Sequence, residues 1–508
     1  MRRKDNGMDR SSGIILHITS LETPYGIGSM GECAHAFADF LKRARQSYWQ
    51  VLPLGPTGYG DSPYQSFSSF AGNPLLIDLD LLAEEELLTK EDLSTIVPLS
   101  DPSSVRYEAV QADRKRLLRA AFRRCGESER QAVRSFVEEN GEWLSDYALF
   151  MALKERFHGA SWQDWPEDLR RRRPGVLEQY RRELKEDVAY HCFVQQRFSV
   201  QWNALHSHAQ DLGIQIIGDL PIYVAEDSAD VWSHPELFDL DEDLRMCHVA
   251  GVPPDYFSPD GQLWGNPLYR WAAHKATGYA WWLRRIGALG RWVDVVRIDH
   301  FRGFRDYWSV PVGSPTARKG RWRRGPGLDL IRKIQNAYPD LPIIAEDLGL
   351  LSGSAMDFVR DSGYPGMKVL QFSFDASRPG RGSPHTFSEN SVCYTGTHDN
   401  TTLAGWFDEG MEADVKLAKR YWGLNEAEGM VRGMIRGGMA CPSNLFMAPM
   451  QDWLGLDAQA RMNTPGTIGL NWRWRMRPED RTPRLASEIA SITGIFGRSR
   501  KRRKYGKV

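Results

Sequence analysis

The chain alternates short apolar runs with longer amphipathic stretches. Residues 12–21 form an apolar run, residues 32–44 carry apolar side chains at helical spacing, and residues 48–54 are apolar again. A strand, a helix and a second strand in this order are typical of an α/β chain with parallel strands.

The pattern continues to the last third of the chain. Eight apolar runs have the length of buried strands, with helical segments between most of them, at residues 12–21, 48–54, 214–223, 295–301, 342–348, 367–372, 392–399 and 445–450. Eight such units predict a TIM (β/α)8 barrel. We expect one catalytic unit over residues 1–508, with large, partly helical insertions and a barrel core at residues 12–56 and 200–485.

Two insertions interrupt this core. Residues 57–199 begin with a loop of glycines and aromatic residues and continue with helical patterns rich in Arg, Glu and Leu. Residues 225–285 are predicted as a long loop insertion after the third strand, because the segment 249–271 is too rich in Pro, Gly and Asp for a regular element. Long ordered loops of this kind are usually functional.

Charge and composition exclude several classes of protein. The 508 residues contain 65 Lys and Arg against 65 Asp and Glu, so no net field would recruit nucleic acid or anionic lipid. No apolar run has the length of a membrane span, and the charged N-terminus lacks the apolar core of a signal peptide. Six scattered cysteines favour reduced thiols in a cytoplasm. The basic segment 498–508 reads as a solvated, disordered tail, although a nucleic-acid role for it stays open.

Four of the eight strand candidates end in acidic residues, which are Asp219, Asp299, Glu346 and Asp399. In a barrel these positions converge at the C-terminal mouth, where the active sites of this fold lie. Retaining glycosyl chemistry needs one carboxylate to attack the anomeric carbon and one acid to protonate the leaving oxygen. A third carboxylate can bind ring hydroxyls, so this set has the required chemistry.

Arg297 stands two residues before Asp299, so both side chains point to the same side of an extended strand. A cation at this position would lower the pKa of the Asp299 carboxyl and keep it ionised, while a nearby acid stays protonated. A purely structural ion pair is the alternative. Asp347 should point away from the neighbouring Glu346 and act as a structural partner.

The motifs RIDHFRGF, IIAEDLG and YTGTHDN resemble the catalytic motifs of the 4-α-glucanotransferases of glycoside hydrolase family 77. The loops SPYQSFSSFAGNP, GDLPIYVAEDSADVW and GVPPDYFSPDGQLWGNPLYRW and the C-terminal segment RMNTPGTIGLNWRWR are also similar to that family. The resemblance weakens around residues 85–140 and beyond about residue 485. In TARKGRW, Arg318 and Lys319 stand where family members often have a small residue and Asn, which could alter loop contacts near an acceptor.

The resemblance implies a role for each matching residue. Asp299 would be the nucleophile, Glu346 the general acid/base and Asp399 the carboxylate that stabilises a distorted sugar. The residues implied to bind or line the glucan site are Tyr64, Asp219, Trp264, Arg297, His300, His398, Asn463 and Pro465. For the two histidines the alternative is that they only brace their strand ends, and for Trp264 that it is buried core.

The implied reaction cleaves an α-1,4 bond of a maltooligosaccharide and transfers the glucanosyl segment to the 4-hydroxyl of another glucan or glucose. Aromatic loops that include Tyr256 and Phe257 would favour a sugar over water as the acceptor. The chemistry requires no cofactor or metal. We expect α-1,4-glucans as partners, and neither nucleic acid nor a membrane.

Three other readings compete with transfer. An α-amylase-type hydrolase would use the same acids but give only shorter products. A silent glucan-binding protein would predict a broken acid set, and all three acids are present. A phosphate-handling aldolase would need a strand-end lysine and a late Gly-rich phosphate loop. Lys368 is the only strand lysine and the loop is absent, so we reject this reading.

Overall fold

The structure, a computed structural model, describes residues 8–97, 101–254, 258–349, 353–380 and 382–499. The strands within these ranges are β1 Ser11–Ile15, β2 Tyr48–Gln50, β3 Gln215–Leu220, β4 His248–Val252, β5 Gln262–Pro267, β6 Val295–Ile298, β7 Asp306–Pro311, β8 Arg321–Arg324, β9 Ile343–Ala345, β10 Gly366–Val369, β11 Ser391–Tyr394 and β12 Leu445–Pro449. The α-helices are α1 Glu32–Arg43, α2 Leu79–Glu84, α3 Lys90–Ser94, α4 Tyr107–Arg124, α5 Glu127–Arg156, α6 Glu167–Arg170, α7 Pro174–Glu183, α8 Lys185–Asp211, α9 Ala229–Ser233, α10 Trp271–Ala276, α11 Ala280–Trp292, α12 Leu328–Ala337, α13 Gly353–Ser362, α14 Leu403–Glu409, α15 Glu412–Trp422, α16 Met430–Ala440, α17 Met450–Leu454 and α18 Pro483–Ile495.

Eight parallel strands close a barrel in the order β1-β12-β11-β10-β9-β6-β3-β2. Each of these strands overlaps one of the eight apolar runs of the sequence, with β1, β10 and β11 beginning one residue before their runs, so the predicted (β/α)8 barrel is confirmed. The strands are shorter than the runs, because several runs turn into 3-10 helix after the strand, as at Ile18–Ser20 and Leu370–Phe372. The carboxyl ends of the strands therefore pass early into loops, and these loops carry the acids.

The barrel interior is filled by side chains that the strands point inward. They form one apolar cluster of Ile15, Tyr48, Ile217, Val295, Ile344, Met367, Val369, Val392, Tyr394, Leu445 and Met447. All are less than one tenth exposed, so the barrel is a packed core and the site must lie above it, at the mouth.

The prediction for residues 249–271 was wrong. Strands β4 and β5 form an antiparallel pair in this segment, and a bulge between Val249 and Gly251 accommodates its irregular composition. With β7 and β8 they make a second sheet of order β5-β4-β7-β8. Its strands belong to the connections that follow β3 and β6, so this small sheet adjoins the strand ends that carry Asp219 and Asp299.

Helices α2–α7 lie within the segment 57–199 that was predicted as an insertion, and α8 starts in this segment and extends beyond it to Asp211. The helix predicted at residues 32–44 corresponds to α1, and the helical patterns predicted for the insertion correspond to the helices observed there, among them α4 and α5. Of the described residues, no helix is both long and apolar enough to cross a membrane.

Arg498 was assigned to a solvated tail, and this assignment is wrong. Its side chain is buried, and its guanidinium donates to the main-chain oxygens of Met439, Ser11, Asn444 and Ser443 at 2.8–3.1 Å. The carbonyls at the ends of strands and helices attract the cation inward. Residues 500–508 of the predicted tail lie outside the described residues.

Candidate active site

Arg297 is the central cation of the barrel mouth. Its strand β6 is buried throughout, and Arg297 lies directly beside Asp219 in the register of β3 and β6. One guanidinium nitrogen, Nη1, donates to both Asp219 oxygens at 2.6 and 2.7 Å and to Asp299 Oδ1 at 3.2 Å. The predicted contact with Asp299 is present, but the shorter contacts go to Asp219.

Asp219 lies beneath the site surface. Its side chain is 0% exposed and that of Arg297 is 3% exposed, whereas that of Asp299 is 27% exposed. Tyr64 covers Asp219 from above and donates its hydroxyl to Asp219 Oδ2 at 2.6 Å. The structure therefore places Asp219 as a support for Arg297 and Tyr64 rather than as a wall of the groove.

One cation faces four carboxylates here, and this imbalance adds to the effect of burial on the pKa values. Burial raises the pKa of Asp299 well above its usual range, Arg297 opposes the rise, and the charges of Asp219, Glu346 and Asp399 add to it. The expected lowering by Arg297 is thus present but outweighed in the free protein.

Glu346 follows β9 and is fixed by main-chain donors. The N–H of His300 donates to its Oε2 at 2.6 Å, and the N–H of Leu348 donates to its Oε1 at 2.9 Å. Burial raises the pKa of the Glu346 carboxyl, while Arg297 and the two N–H donors limit the rise. Asp347 accepts from the N–H of Met367 at 2.6 Å, outside the acid cluster, which agrees with its predicted structural role.

Asp399 follows β11, and 43% of its side chain is accessible, against 27% for that of Asp299. Asn463 Nδ2 donates to Asp399 Oδ1 at 2.6 Å, and His398 Nε2 lies 3.3 Å from the same oxygen. Arg461 donates to the main-chain oxygens of Asp399 and Asn463, so the 461–463 segment clamps this strand end. Asn463 thus contacts an acid, and Pro465 lies in the exposed turn that follows.

Aromatic rings surround the acids on two sides. Tyr64 stacks on His398 with ring centroids 5.1 Å apart, and Trp472 packs against both rings. On the other side Trp264, which is half-buried, meets His300 edge to face at 4.8 Å. Trp264 is therefore not a core residue, while Tyr256 and Phe257 lie outside the described residues.

The two histidines of the site are neutral imidazoles near pH 7. Burial lowers the pKa of His300 to about 4, and burial also lowers the pKa of His398. His300 has φ 45° and ψ 45°, a left-handed conformation that is costly for a residue with a side chain. Such strain tends to persist where the surroundings hold a functional residue in place.

Trp472 and Arg461 were missed as site residues. Both lie in the segment RMNTPGTIGLNWRWR, whose resemblance to the family was noted, yet no periodicity marks them. Trp472 contacts Tyr64 and His398 from a left-handed backbone conformation with φ 66°, which no sequence pattern predicts.

No group of three or more His, Cys, Asp or Glu side chains is arranged to hold a metal ion in the part of the chain that the structure describes. The acids of the mouth contact Arg297, Asn463 and main-chain donors.

Comparison with known proteins gives the family. The family model described as 4-alpha-glucanotransferase matches residues 16–481. The 4-alpha-glucanotransferase of Clostridium butyricum is 45% identical over 485 residues, which cover 95% of this chain and 100% of that protein. The Thermus thermophilus enzyme of the same name is 46% identical, covering 96% and 98%.

A solved structure agrees with this. The amylomaltase from Streptococcus agalactiae in complex with acarbose superimposes with a TM-score of 0.94 at 42% identity, covering 97% of this chain and 100% of that chain. The chain therefore belongs to glycoside hydrolase family 77, the 4-α-glucanotransferases. It is an enzyme, and the resemblance read from its motifs is confirmed.

Proposed function

We propose that Asp299 is the nucleophile, Glu346 the general acid/base and Asp399 the third carboxylate of a retaining transfer between α-1,4-glucans. One observation carries this assignment. The N–H of His300, the residue next to Asp299, donates to Glu346 Oε2 at 2.6 Å, which ties the Glu346 carboxylate to the residue that follows Asp299. Two adjacent carboxyl groups are what a double displacement requires.

In the first half-reaction an oxygen of Asp299 bonds to the anomeric carbon while the bond to the leaving O4 breaks. Glu346 gives its proton to that O4, and the shortened glucan leaves with a free 4-hydroxyl. In the second half-reaction an acceptor 4-hydroxyl passes its proton to Glu346, and its oxygen displaces Asp299. No water is consumed and both acids return to their starting states.

The electrostatics of the free site support these roles. Because burial raises the pKa of both Asp299 and Glu346 and each carboxylate disfavours charge on the other, the pair retains a proton more readily than either acid would alone. The first step needs that proton on Glu346 and an anion on Asp299. Arg297 favours this distribution because it contacts Asp299 directly.

We assign the remaining side chains to the glucan. Neutral His300 and His398 can donate to or accept from ring hydroxyls, and Tyr64 and Trp264 offer aromatic faces on the two sides of the acids. Maltooligosaccharides are the proposed donors, with glucose or a second maltooligosaccharide as acceptor. The unpaired cysteines of the described residues support a reducing cytoplasm as the place of action.

Maltotriose incubated with the protein tests the reaction. We expect glucose together with a ladder of longer maltooligosaccharides, and loss of the ladder in Asp299→Asn and Glu346→Gln. Glucose and maltose without longer products would mean that water is the main acceptor. Asp347→Asn is the matched control, since Asp347 accepts from the N–H of Met367 instead of contacting Arg297. Because its charge raises the pKa of Glu346, this variant should shift the pH dependence but keep the ladder.

An activated donor separates the two roles. An α-maltosyl fluoride loses fluoride without a proton from an acid, so Glu346→Gln should still form the glycosyl-enzyme and release fluoride. Asp299→Asn should not, because it lacks the attacking oxygen. Equal fluoride release by both variants would overturn the assignment of Asp299 as nucleophile.

A further inference from the structure

A second cleft opens on the flank of the barrel, between the helical insertion and the outer helix α11. Its cavity volume is about 160 Å³, the cleft is open to solvent on one side, and none of the three acids lines it. Its walls come from α5, from α9, from α11 and from the loop around Phe70. This volume is smaller than the roughly 300–1,000 Å³ that is usual for sites that enclose a whole small molecule, so the cleft can hold only part of a longer ligand.

Aromatic rings form one continuous wall of the cleft. Phe70 and Trp143 are nearly parallel with centroids 6.4 Å apart, and Phe70 meets Trp281 edge to face at 6.3 Å. Trp281 is buried at the floor, while Phe70 and Trp143 remain partly exposed. Partly exposed rings above a buried one offer flat apolar faces to a ligand rather than a closed core.

The rim of the cleft is polar and carries both signs of charge. The acids are Glu142, Asp146 and Asp230, and the arginines are Arg284 and Arg291. Arg284 of α11 lies 3.7 Å from Glu142 of α5, and their side chains are 44% and 75% exposed. The mixed charges favour neither an anion nor a cation, so they fit a neutral ligand rich in hydroxyl groups.

We propose that this cleft is a second binding site for an α-1,4-linked glucan segment, separate from the catalytic groove. Pyranose rings combine apolar faces with hydroxyl edges, which matches aromatic walls under a polar, charge-balanced rim. The proposal rests on the action of the enzyme on α-glucans. The cleft adds a function to the catalytic site, since it would hold part of a long glucan without taking part in the chemistry.

The cleft and the groove share one loop. The loop that carries Tyr64 into the active site continues to Phe70, and the N–H of Ser69 donates to Asp230 Oδ2 at 2.7 Å in the cleft. Asp230 is buried, so this contact anchors the loop. A glucan held at Phe70 would therefore lie beside the segment that positions Tyr64, and long glucans would gain more from the cleft than short ones.

Calorimetry with maltoheptaose tests the second site directly. In a Glu346→Gln background, which prevents turnover, we expect two binding events per chain. Trp143→Ala should remove one of them or weaken it by about tenfold. Trp143→Phe should restore it, because the ring face is retained. A single event in the Glu346→Gln protein would overturn the proposal.

Kinetics give a second readout. Trp143→Ala should raise KM for soluble amylose severalfold and leave kcat and KM for maltotriose unchanged. Tyr180→Ala is the matched control, as it removes an aromatic ring of the same insertion that does not line the cleft. Equal effects on amylose and maltotriose would contradict a separate site.

Arg284→Gln tests the same cleft independently, in case Trp143→Ala has a folding defect. Arg284 is exposed and its one ion pair is long, so its loss should not alter stability. It should still raise KM for amylose, because a rim donor is lost. Unchanged amylose kinetics in both Trp143→Ala and Arg284→Gln would refute the proposal of a second site. Absence of maltotriose transfer by the wild-type protein would instead refute the catalytic assignment.

Discussion

Two arginine–aspartate pairs of this enzyme have similar contacts and opposite surroundings. Arg297 and Asp219 meet at 2.6 Å in the barrel mouth, with side chains 3% and 0% exposed. Arg318 and Asp260 meet at 2.8 Å beside the small sheet, with side chains 60% and 62% exposed. From the contact distances alone, the two ion pairs would be expected to have similar strength.

Their surroundings separate them. Around Arg297 the solvent is absent, and its charge acts on Asp299 and Glu346 as well as on Asp219. Around Arg318 water screens the pair, and holding two long side chains in place costs entropy. The comparison shows that burial, rather than contact distance, decides whether such a pair controls the chemistry.

Replacing Arg297 by Met should have the largest effect. Asp219 would remain buried without a cation, which typically costs about 3–5 kcal/mol of unfolding free energy. Asp299 would also lose the charge that favours its ionised form, so transfer from maltotriose should be lost. Denaturant unfolding and product analysis measure the two effects.

Arg318→Met is the matched control for this change, since it removes the same charge from the exposed pair. If both variants unfolded at the same denaturant concentration, the comparison between the two pairs would fail.

Asp219→Asn should shift the pH dependence of kcat/KM. The acidic limb reports ionisation of the nucleophile. Removing the negative charge of Asp219 lowers the pKa of Asp299, so this limb should move to lower pH, by about one unit. The alkaline limb reports Glu346 and should move less. A shift of the acidic limb to higher pH would contradict the electrostatic arrangement.

The barrel was predictable from the sequence because each of its strands is buried on both faces. Such strands appear as short, continuous apolar runs that need no partner to be recognised. Strands β4 and β5 are different, since their residues HVAGV and QLWGNP follow no simple alternation. β4 also pairs with β7, more than 50 residues further along the chain, and β5 pairs with β4, so their strand character depends on partners that no local pattern reveals.

The candidate active site likewise contains features that the sequence predicts and contacts that it does not. The acids at the strand ends were predictable because the topology of a barrel brings strand ends together. The preference of Arg297 for Asp219 was not, as it depends on the register of β3 against β6. The contact of Asn463 with Asp399 was missed because it joins two distant loops, so the sequence indicated the right residue but not its partner.

Asn463→Ala should have an intermediate effect. The variant removes a donor at 2.6 Å from a partly exposed carboxylate. A hydrogen bond to a charged group contributes about 1.5–3 kcal/mol, which corresponds to a loss of about 10- to 100-fold in kcat/KM. Asn463→Asp should be worse than Asn463→Ala, because it places a second negative charge beside Asp399. Equal rates for wild type and Asn463→Ala would show that Asp399 needs no such support.

Arg318→Ala should have the smallest effect, and it tests the exposed member of the two arginine–aspartate pairs. Its pair with Asp260 is exposed, so we expect a change of less than about 1 kcal/mol in unfolding free energy. Arg318 replaces the small residue often found at this place, and it ties Ala317–Lys319 to the segment before β5. Any kinetic effect should therefore appear in KM for the acceptor, measured with glucose at fixed maltotriose, and leave kcat within about twofold, because no atom of the pair contacts the acids. A large loss of kcat would mean that the charge of Arg318 affects the acids at the mouth of the barrel. The difference in exposure alone would then not explain why the two ion pairs differ.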